Sequence, residues 1–424
     1  MSELADRPPR ARSDRARWRV RLVALAAVIG PGLLAGLSDD DPAGITTYSV
    51  LGTDYGYRLS WVLLLATFVL ILFHSLAVRM GVVTGQGVIG LVRDRHGPRV
   101  GALTLLVLVV ANLGTTCAEL AGVAAGFELF GVDRRVSVPL AAVAVSLLVL
   151  RGAFHRVEHV LMGLAAAFVC YIVAGLEAGP DWGLAAHGLV TPSMPMTQHA
   201  AVLVSATVGT TLAPWGLSFI QSYAVDKRLT PADLRYERID VVVGSVLTGV
   251  IGLFVIVTCA ATLHARGSSI ESAADAASAL EPLAGGQARL LFAVGLVGAA
   301  VLAAAILPLS TAYSVCEFTG HEGALDDGMR RAPVFYGTYL VVMGLAAGLV
   351  LLPGVSLIPV LVLTQVLNVV LLLPLMIIIC GLGRDPDVMA EHVITASWWP
   401  VHVAAILLVA LCVGALGLLS VPVP

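Results

Sequence analysis

Stretches of about 20 consecutive apolar residues recur along the whole chain, and they constrain its fold more than any other feature. Each stretch is long enough to cross a bilayer core of roughly 30 Å as a helix. The stretches are continuous and rich in Leu, Val, Ala and Gly, whereas a membrane β-barrel shows short alternating segments. Only 12% of the residues are charged, about half the share of a soluble protein. The sequence therefore predicts an all-α membrane protein.

We predict eleven membrane-spanning helices, named span 1 to span 11 in chain order. They cover residues 21–55, 59–79, 100–130, 136–151, 157–177, 199–226, 238–264, 284–315, 333–352, 357–381 and 398–420. Residues 1–20 form a basic tail, which we interpret as retained rather than as part of a cleaved signal peptide. Residues 21–420 are expected to form a single transmembrane domain.

The distribution of Arg and Lys predicts the orientation of these spans. Basic residues concentrate before span 1 and in the loops after spans 2, 4, 6 and 8, while the alternate loops are poorer in them. Cytoplasmic loops carry an excess of Arg and Lys. We therefore expect a multi-pass protein of the cell membrane with its N-terminus in the cytoplasm and its C-terminus outside.

Two of the spans are interrupted near their middle. Span 1 contains Pro42 within the polar run 38–44, and span 6 contains Pro214 within the run 209–216. Proline removes a backbone donor and clashes with the preceding turn, so each helix should break there. Broken helices at matching positions of two halves are typical of inverted-repeat transporters with a site at the bilayer midplane. The repeats would cover about 21–177 and 199–381, followed by an extra helix at about 398–420.

Three adjacent carboxylates, Asp39, Asp40 and Asp41, lie in the break of span 1. An ionised Asp at the centre of a membrane helix costs about 2.5–3.5 kcal/mol, so this run needs a cavity, a proton or a cation. Asp41 could also serve only as the N-cap of a half-helix that begins at Pro42. That role explains one of the aspartates and leaves two unexplained. We interpret the run as part of a cation site.

Two further polar groups could contribute oxygen ligands. The break of span 6 exposes carbonyls and hydroxyls around Thr210, and such hard ligands suit Mg²⁺ and Mn²⁺. A simple proline kink is the alternative. Gln365 and Asn368 lie one turn apart in span 10 and can share a face, although amides in membrane helices often serve only to join helices.

Two ionisable side chains outside the breaks have open roles. Glu119 is a lone carboxylate in span 3 and is either a proton relay or a structural acid. His74 lies near the predicted end of span 2, so we expect it at the membrane interface and not among the ligands.

Motifs of the common enzyme classes are absent from the sequence. It has no His-Glu-x-x-His helix, no phosphate-binding Gly-rich loop with its Lys, and no Gly-x-Ser-x-Gly elbow. We therefore expect no enzymatic activity, no bound cofactor and no nucleic-acid partner. The expected partners are a divalent cation as cargo and the lipid bilayer; the sequence specifies no protein partner.

At these positions the chain resembles the natural-resistance-associated macrophage protein (Nramp) family of divalent metal transporters. The similarity runs in order through nearly the whole chain. It includes Gly30-Pro31-Gly32, Asp41-Pro42, Tyr55-Gly56-Tyr57, Thr84-Gly85-Gln86, Arg93, Pro180-Asp181-Trp182-Gly183, Ala213-Pro214 and Gln365. The resemblance implies a leucine-transporter-like fold of two inverted five-helix repeats, with the metal site between broken helices 1 and 6.

The resemblance also implies a ligand set. Asp41 would be the main ligand, the Ser38 and Thr210 carbonyls would assist, and Gln365 would complete an occluded state. Glu119 would belong to a proton pathway. Apart from the resemblance, we expect the extra carboxylates Asp39 and Asp40 to bind a hydrated ion through its waters.

Three family motifs are altered in this chain. The Asp-Pro-Gly-Asn motif ends in Gly44, the Met-Pro-His motif becomes Ala213-Pro214-Trp215, and the proton pair of helix 3 retains only Glu119. A thioether favours transition metals, so its loss leaves a roomier oxygen-only site. Such a site suits Mg²⁺, which often keeps several waters. The pattern is similar to the magnesium-transporting branch of Nramp relatives, in which proton coupling is absent.

We therefore favour a transporter of Mg²⁺, and also of Mn²⁺, that works by alternating access. One alternative is a proton-coupled Mn²⁺/Fe²⁺ symporter that uses Glu119. Another is a sodium-coupled amino-acid transporter of the same fold, although three aspartates would repel a substrate carboxylate. A non-transporting membrane receptor would leave both helix breaks unexplained.

Overall fold

The computed structural model describes residues 35–36, 39–151, 170–321, 323, 328–354 and 356–420. Within these ranges the regular structure is helical and no strand occurs, so the predicted all-α class is confirmed. Ser38 and residues 21–34 of span 1 lie outside the described residues, as do residues 157–169 of span 5.

The helices follow the predicted spans in order. Their bounds are Pro42–Tyr55 for the second half of span 1, Ser60–Thr84, Pro98–Glu128, Arg134–Leu150, Cys170–Glu177 for the end of span 5, Gln198–Thr211 and Pro214–Asp226 for span 6, Leu234–Thr262, Ala288–Thr319, Pro333–Val350, Leu357–Arg384 and Trp399–Ser420. Among the residues that the structure describes, eight spans are long and apolar enough to cross a membrane: spans 2, 3 and 6 to 11. The helix of span 4 has 17 residues, and the described parts of spans 1 and 5 have 14 and 8.

The connections between spans contain short helices that the sequence analysis did not predict. They are Val88–His96, Trp182–Val190, Ala273–Ser278, Glu281–Ala284 and Pro386–Met389, with 3₁₀ turns at His264–Arg266, Gly285–Gln287 and Ala390–His392. Local capping explains two of them. Asp181 accepts a hydrogen bond from the Leu184 backbone N–H, and Ser272 with Asp275 forms a capping box. These helices are too short to show a clear hydrophobic period.

Both predicted breaks are present, and a proline begins the helix that follows each one. The first half of span 6 ends at Thr211, and the second half begins at Pro214. Proline fits the first turn of a helix because the N–H that it lacks would have no intrahelical partner there. Each break therefore forms where the sequence places a proline inside an otherwise continuous apolar segment.

Spans 1 and 6 lie at the centre of the bundle. Span 7 packs on spans 1 and 2, the first half of span 6 packs on span 10, and span 3 runs along span 8. Glycines allow the closest approaches. Gly209 lies against the Gln365 carbonyl, and Gly122 lies against the Pro42 ring, so that a side chain at either glycine would overlap its neighbour. These glycines pack span 6 closely on span 10 and span 3 closely on span 1, and the first half of span 6 also contacts the second half of span 1.

Candidate cation site between the two broken spans

Asp41 begins the helical second half of span 1. It takes an extended conformation, with φ −75° and ψ 169°, and its Oδ1 accepts a hydrogen bond of 2.5 Å from the Gly44 backbone N–H. This is the N-cap role that the sequence leaves open as an alternative. The cap uses Oδ1 and fixes the carboxylate at the positive end of the half-helix. Capping and cation binding are compatible, because a carboxylate offers about four lone-pair sites.

The space beside Gly44 is where the two breaks meet. A Cβ atom placed on Gly44 would lie 3.0 Å from the Asp39 backbone oxygen, 3.0 Å from Thr210 Oγ1 and 3.2 Å from Asp41 Oδ1. The structure therefore brings Asp41 and Thr210 together, as the sequence predicts. A larger residue at position 44 would fill the space that these oxygens surround.

The carbonyl of Thr210 is freed by the sequence of the break itself. In a regular helix this oxygen accepts the N–H of the residue four positions later. That residue is Pro214, which has no N–H to donate. The Thr210 hydroxyl is also buried without a hydrogen-bond partner, so this residue offers two oxygens to the same region.

Several carboxylate oxygens at the break of span 1 are buried without a hydrogen-bond partner. They are Oδ2 of Asp39 and both carboxylate oxygens of Asp40. Leaving a buried acceptor unsatisfied costs about 1–3 kcal/mol, and more when it is charged. Most buried polar groups in proteins are paired, so such a cluster indicates a site for water, a proton or an ion.

Glu119 of span 3 belongs to the same region. Gly122, one turn further along this helix, lies against Pro42, and this contact places Glu119 beside the span 1 break. Its carboxyl is fully buried and close enough to Asp41 to interact with it, although neither oxygen has the geometry of a hydrogen bond. The structure thus places the predicted proton-pathway residue next to the predicted main ligand.

Gln365 of span 10 lies beside the break of span 6. Its backbone carbonyl contacts Gly209, and its Oε1 accepts a hydrogen bond of 2.8 Å from Asn368 Nδ2. Asn368 in turn donates to Thr115 Oγ1 of span 3 at 3.0 Å. The two amides share a face, as the sequence predicts. In this arrangement Gln365 Oε1 is engaged, so it would have to leave Asn368 to bind a cation.

His74 was expected at the membrane interface, and this prediction is wrong. The helix of span 2 extends to Thr84 instead of ending at residue 79, so His74 lies ten residues before the end of the helix. The imidazole is buried, and a Cβ atom on Gly216 would lie 3.1 Å from His74 Nε2 and 3.9 Å from Asp39 Oδ1. The prediction placed the end of span 2 at residue 79 from hydropathy, which did not show that the helix continues to Thr84.

The acidic side chains are close together but do not converge on one point. Across the part of the chain that the structure describes, no three His, Cys, Asp or Glu side chains are arranged to hold a metal ion. Backbone oxygens, hydroxyls, amides and water would therefore have to supply most of the ligands to any cation bound here.

Comparison with known proteins identifies the family. The family model described as natural resistance-associated macrophage protein-like matches residues 32–420. The chain belongs to the Nramp family. Its curated relatives include the divalent metal cation transporter MntH of Acidiphilium cryptum, 29% identical over 80% of each chain. Another is MntH 1 of Pseudomonas aeruginosa, 32% identical over 65% of this chain and 66% of the relative.

Solved structures show the same fold. The Eremococcus coleocola manganese transporter, bound to an aromatic bis-isothiourea substituted compound, superposes with a TM-score of 0.75 at 17% identity, covering 99% of this chain and 92% of the other. The transporter Mhp1 of the nucleobase-cation-symport-1 family gives 0.60 at 15% identity, covering 93% and 91%. These neighbours confirm the predicted leucine-transporter-like fold of this Nramp protein.

The altered Nramp motifs have clear structural consequences. Ala213 is the N-cap residue of the second half of span 6. Its methyl side chain neither caps the helix nor supplies a ligand atom at the break. Trp215 is buried, with its ring centroid 6.3 Å from that of Phe219. At these two positions the chain presents apolar groups in place of a thioether and an imidazole.

Proposed function

We propose that this protein carries divalent cations across the cell membrane by alternating access, with Mg²⁺ as the favoured cargo and Mn²⁺ also carried. The observation that carries the proposal is the group of buried oxygens without hydrogen-bond partners where the breaks of spans 1 and 6 meet. Membership of the Nramp family supports the cation class. The curated relatives are named divalent metal cation transporters.

The proposed ligands come from both breaks. Asp41 supplies the charge, the Thr210 carbonyl and hydroxyl supply neutral oxygens, and Gln365 joins when the site closes. Ser38, which lies outside the described residues, would contribute its carbonyl. Asp39 and Asp40 would hold the waters of the ion.

The preference for Mg²⁺ rests on the chemistry of these groups. Mg²⁺ sheds its water reluctantly and is usually held by one or two carboxylates with several waters retained. The acidic side chains here do not converge on one point, which favours a partly hydrated ion. No sulfur ligand stands at position 213, so the site has no group that selects soft metals.

A proton-coupled Mn²⁺/Fe²⁺ symporter is a second candidate function, and one observation favours it. Glu119 is buried beside Asp41 without a hydrogen bond, and a buried membrane carboxyl of this kind is suited to carry a proton. A sodium-coupled amino-acid transporter is supported less well. The carboxylates at the break of span 1 would repel the substrate carboxylate, and the neighbouring structures of other transporter families share only the fold.

Cation uptake into proteoliposomes tests the proposal. Purified protein is reconstituted, and Mg²⁺ and Mn²⁺ entry is followed with indicator dyes, together with a pH dye in the lumen. We expect uptake of both ions without lumenal acidification and no uptake in Asp41→Asn. The matched control is Asp94→Asn, which removes a carboxylate from an exposed ion pair with Arg93. Acidification that follows metal entry would establish the symporter instead, and normal uptake by Asp41→Asn would refute the ligand assignment.

A further inference from the structure

A cavity of about 630 Å³ lies where spans 2, 7 and 11 meet at one end of the bundle. It is distant in sequence from both breaks. The residues that line its polar side include Arg79 at the end of span 2 and Arg235, Glu237 and Arg238 at the start of span 7. By the distribution of basic residues, this is the predicted cytoplasmic end of the protein.

The three arginines of this cavity have no anionic partner. None of them forms an ion pair or a hydrogen bond with another residue that the structure describes, and the Nε atom of Arg79 is buried without a partner. The positive charge of Arg238 lies within electrostatic range of Arg79. Arg235 and Arg238 are exposed and Arg79 is half-buried, so an anion can reach this group of like charges and would be attracted by it.

The same cavity presents one acceptor among these donors. Glu237 is fully buried, and neither of its carboxylate oxygens has a hydrogen-bond partner. A ligand that satisfies both features must carry an anionic group for the arginines and a hydrogen-bond donor for Glu237. Inorganic phosphate near neutral pH has both a negative charge and a hydroxyl, so the apolar wall of the cavity must distinguish it from a lipid headgroup.

The other wall of the cavity is apolar and opens toward lipid. It includes Phe68, Ile71 and Leu72 of span 2. The Phe68 side chain is 48% exposed, as is expected of a residue that faces acyl chains. Trp398 also lines the cavity and is 47% exposed, and exposed tryptophans are typical of the membrane interface.

We propose that this cavity binds the headgroup of an anionic phospholipid that carries free hydroxyl groups, of the phosphatidylglycerol type. The phosphodiester would contact Arg79, Arg235 and Arg238, because guanidinium groups recognise phosphate oxygens in a bidentate manner. A headgroup hydroxyl would donate to Glu237, and one acyl chain would run along the Phe68 wall. Basic pockets between membrane helices on the cytoplasmic side bind such headgroups.

This lipid would support the helices that surround the cation site. Span 2 packs on the second half of span 6, and span 7 packs on span 1. The lipid would join spans 2 and 7 at one end through their arginines. The inference concerns a different site from the proposed transport function and does not depend on which ion is carried.

Lipid retention and thermal unfolding of the full-length protein in detergent test this inference. The probes are short-chain phosphatidylglycerol, phosphatidylcholine with the same chains, and inorganic phosphate, with bound lipid counted by native mass spectrometry. We expect phosphatidylglycerol alone to be retained and to raise Tm, and this effect to weaken in high salt. Equal retention of phosphatidylcholine, or an equal rise in Tm with phosphate, would overturn the proposal.

Variants locate the site. Arg79→Gln with Arg238→Gln should weaken phosphatidylglycerol binding at least tenfold, and Glu237→Gln should reduce the preference over a headgroup without hydroxyls. The control is Arg331→Gln, which removes an exposed arginine from the same predicted side and should leave lipid binding unchanged. If the double glutamine variant does not fold, Arg79→Lys with Arg238→Lys keeps the charge and should retain part of the affinity. Unaltered binding in the folded double glutamine variant would refute the assignment.

Discussion

The two helix breaks of this protein share a backbone design and differ in charge. In each, a proline begins the second half-helix and cannot donate to the carbonyl four residues earlier, which belongs to Ser38 in span 1 and to Thr210 in span 6. The break of span 1 carries the three aspartates. The break of span 6 carries no ionisable side chain between Gly209 and Gly216.

The two breaks also differ in how their half-helices begin. Asp41 caps its own half-helix through Gly44, whereas the half-helix of span 6 begins at Ala213, which has no side chain to cap it. We infer that the two breaks have different roles in the same site. Span 1 supplies the charge that draws a cation into the membrane, and span 6 supplies neutral oxygens that fit it. Changes in span 1 should therefore affect affinity most, and changes in span 6 should affect selectivity.

Removal of the Asp41 charge is expected to have the largest effect. Asparagine caps a helix about as well as aspartate, so Asp41→Asn should keep the fold while removing the anionic ligand. Even outer-shell partners of metal ligands are worth about 10–100-fold in affinity or activity, so we expect a loss of at least about 100-fold in Mg²⁺ affinity. Isothermal titration with Mg²⁺ and Mn²⁺ measures it. A loss below tenfold would assign the charge role to another carboxylate.

Overpacking the contact between the break of span 6 and span 10 should have the next largest effect. Gly209→Ala would place a methyl group on the Gln365 carbonyl, while Gly337→Ala, on span 9, meets nothing within 4 Å. Overpacking of this kind costs about 1–3 kcal/mol, so Gly209→Ala should lower Tm by several degrees. Thermal unfolding in detergent compares the two variants. Equal Tm values would show that the close packing of span 6 on span 10 does not depend on a glycine at position 209.

The neutral oxygens of span 6 are tested by a pair of threonines. Thr210→Ala removes a hydroxyl that has no partner, whereas Thr207→Ala removes one that is bonded to the Leu203 carbonyl at 2.7 Å. We expect roughly tenfold weaker Mg²⁺ binding in Thr210→Ala, which corresponds to about 1.4 kcal/mol. The Thr207 variant should bind normally. If the two variants bind Mg²⁺ with the same affinity, the Thr210 hydroxyl is not a ligand and only the Thr210 carbonyl can be one.

A soft ligand restored at the break of span 6 should change the selectivity between ions. Ala213→Met would place a thioether beside the span 6 break and should shift the ratio of Mn²⁺ to Mg²⁺ affinity by roughly fivefold toward Mn²⁺, about 1 kcal/mol. Competition between the two ions in uptake measures the ratio. The control is Ala206→Met, which lies seven residues earlier in the same span and away from the break. An unchanged ratio would refute the argument from ligand loss.

Glu119 is expected to give the smallest effect on metal flux. If Mg²⁺ moves without a proton, Glu119→Gln should change uptake by no more than about twofold, because the carboxyl then serves only the local electrostatics. The lumenal pH should stay constant in both proteins. A large loss of uptake together with a lost pH change would identify this carboxyl as the proton carrier and favour the symporter.

Much of this site could be predicted from sequence because its two strongest signals are local. Pro42 and Pro214 mark breaks because each lies within a run of polar or small residues, whereas prolines inside purely apolar runs, such as Pro308 and Pro374, lie in continuous helices. Asp39 to Asp41 are unfavourable at that depth in any membrane helix. The position of His74 could not be predicted in this way. Its surroundings depend on how far the helix of span 2 continues beyond its apolar run and on which neighbour it meets.

The apolar segments, the two breaks and the aspartate run were determined by the sequence alone, and with the family motifs they define the class of protein. Only the tertiary structure decided which oxygens share one space and which spans enclose them. Span 6 has a hydropathy of 1.4 and is 94% buried over its most apolar window, whereas span 11 has 2.6 and is 17% buried. Hydropathy measures transfer out of water, and lipid is as apolar as a neighbouring helix. The hydropathy of a span therefore indicates that the span lies in the membrane. Only its packing determines whether it faces lipid or the site.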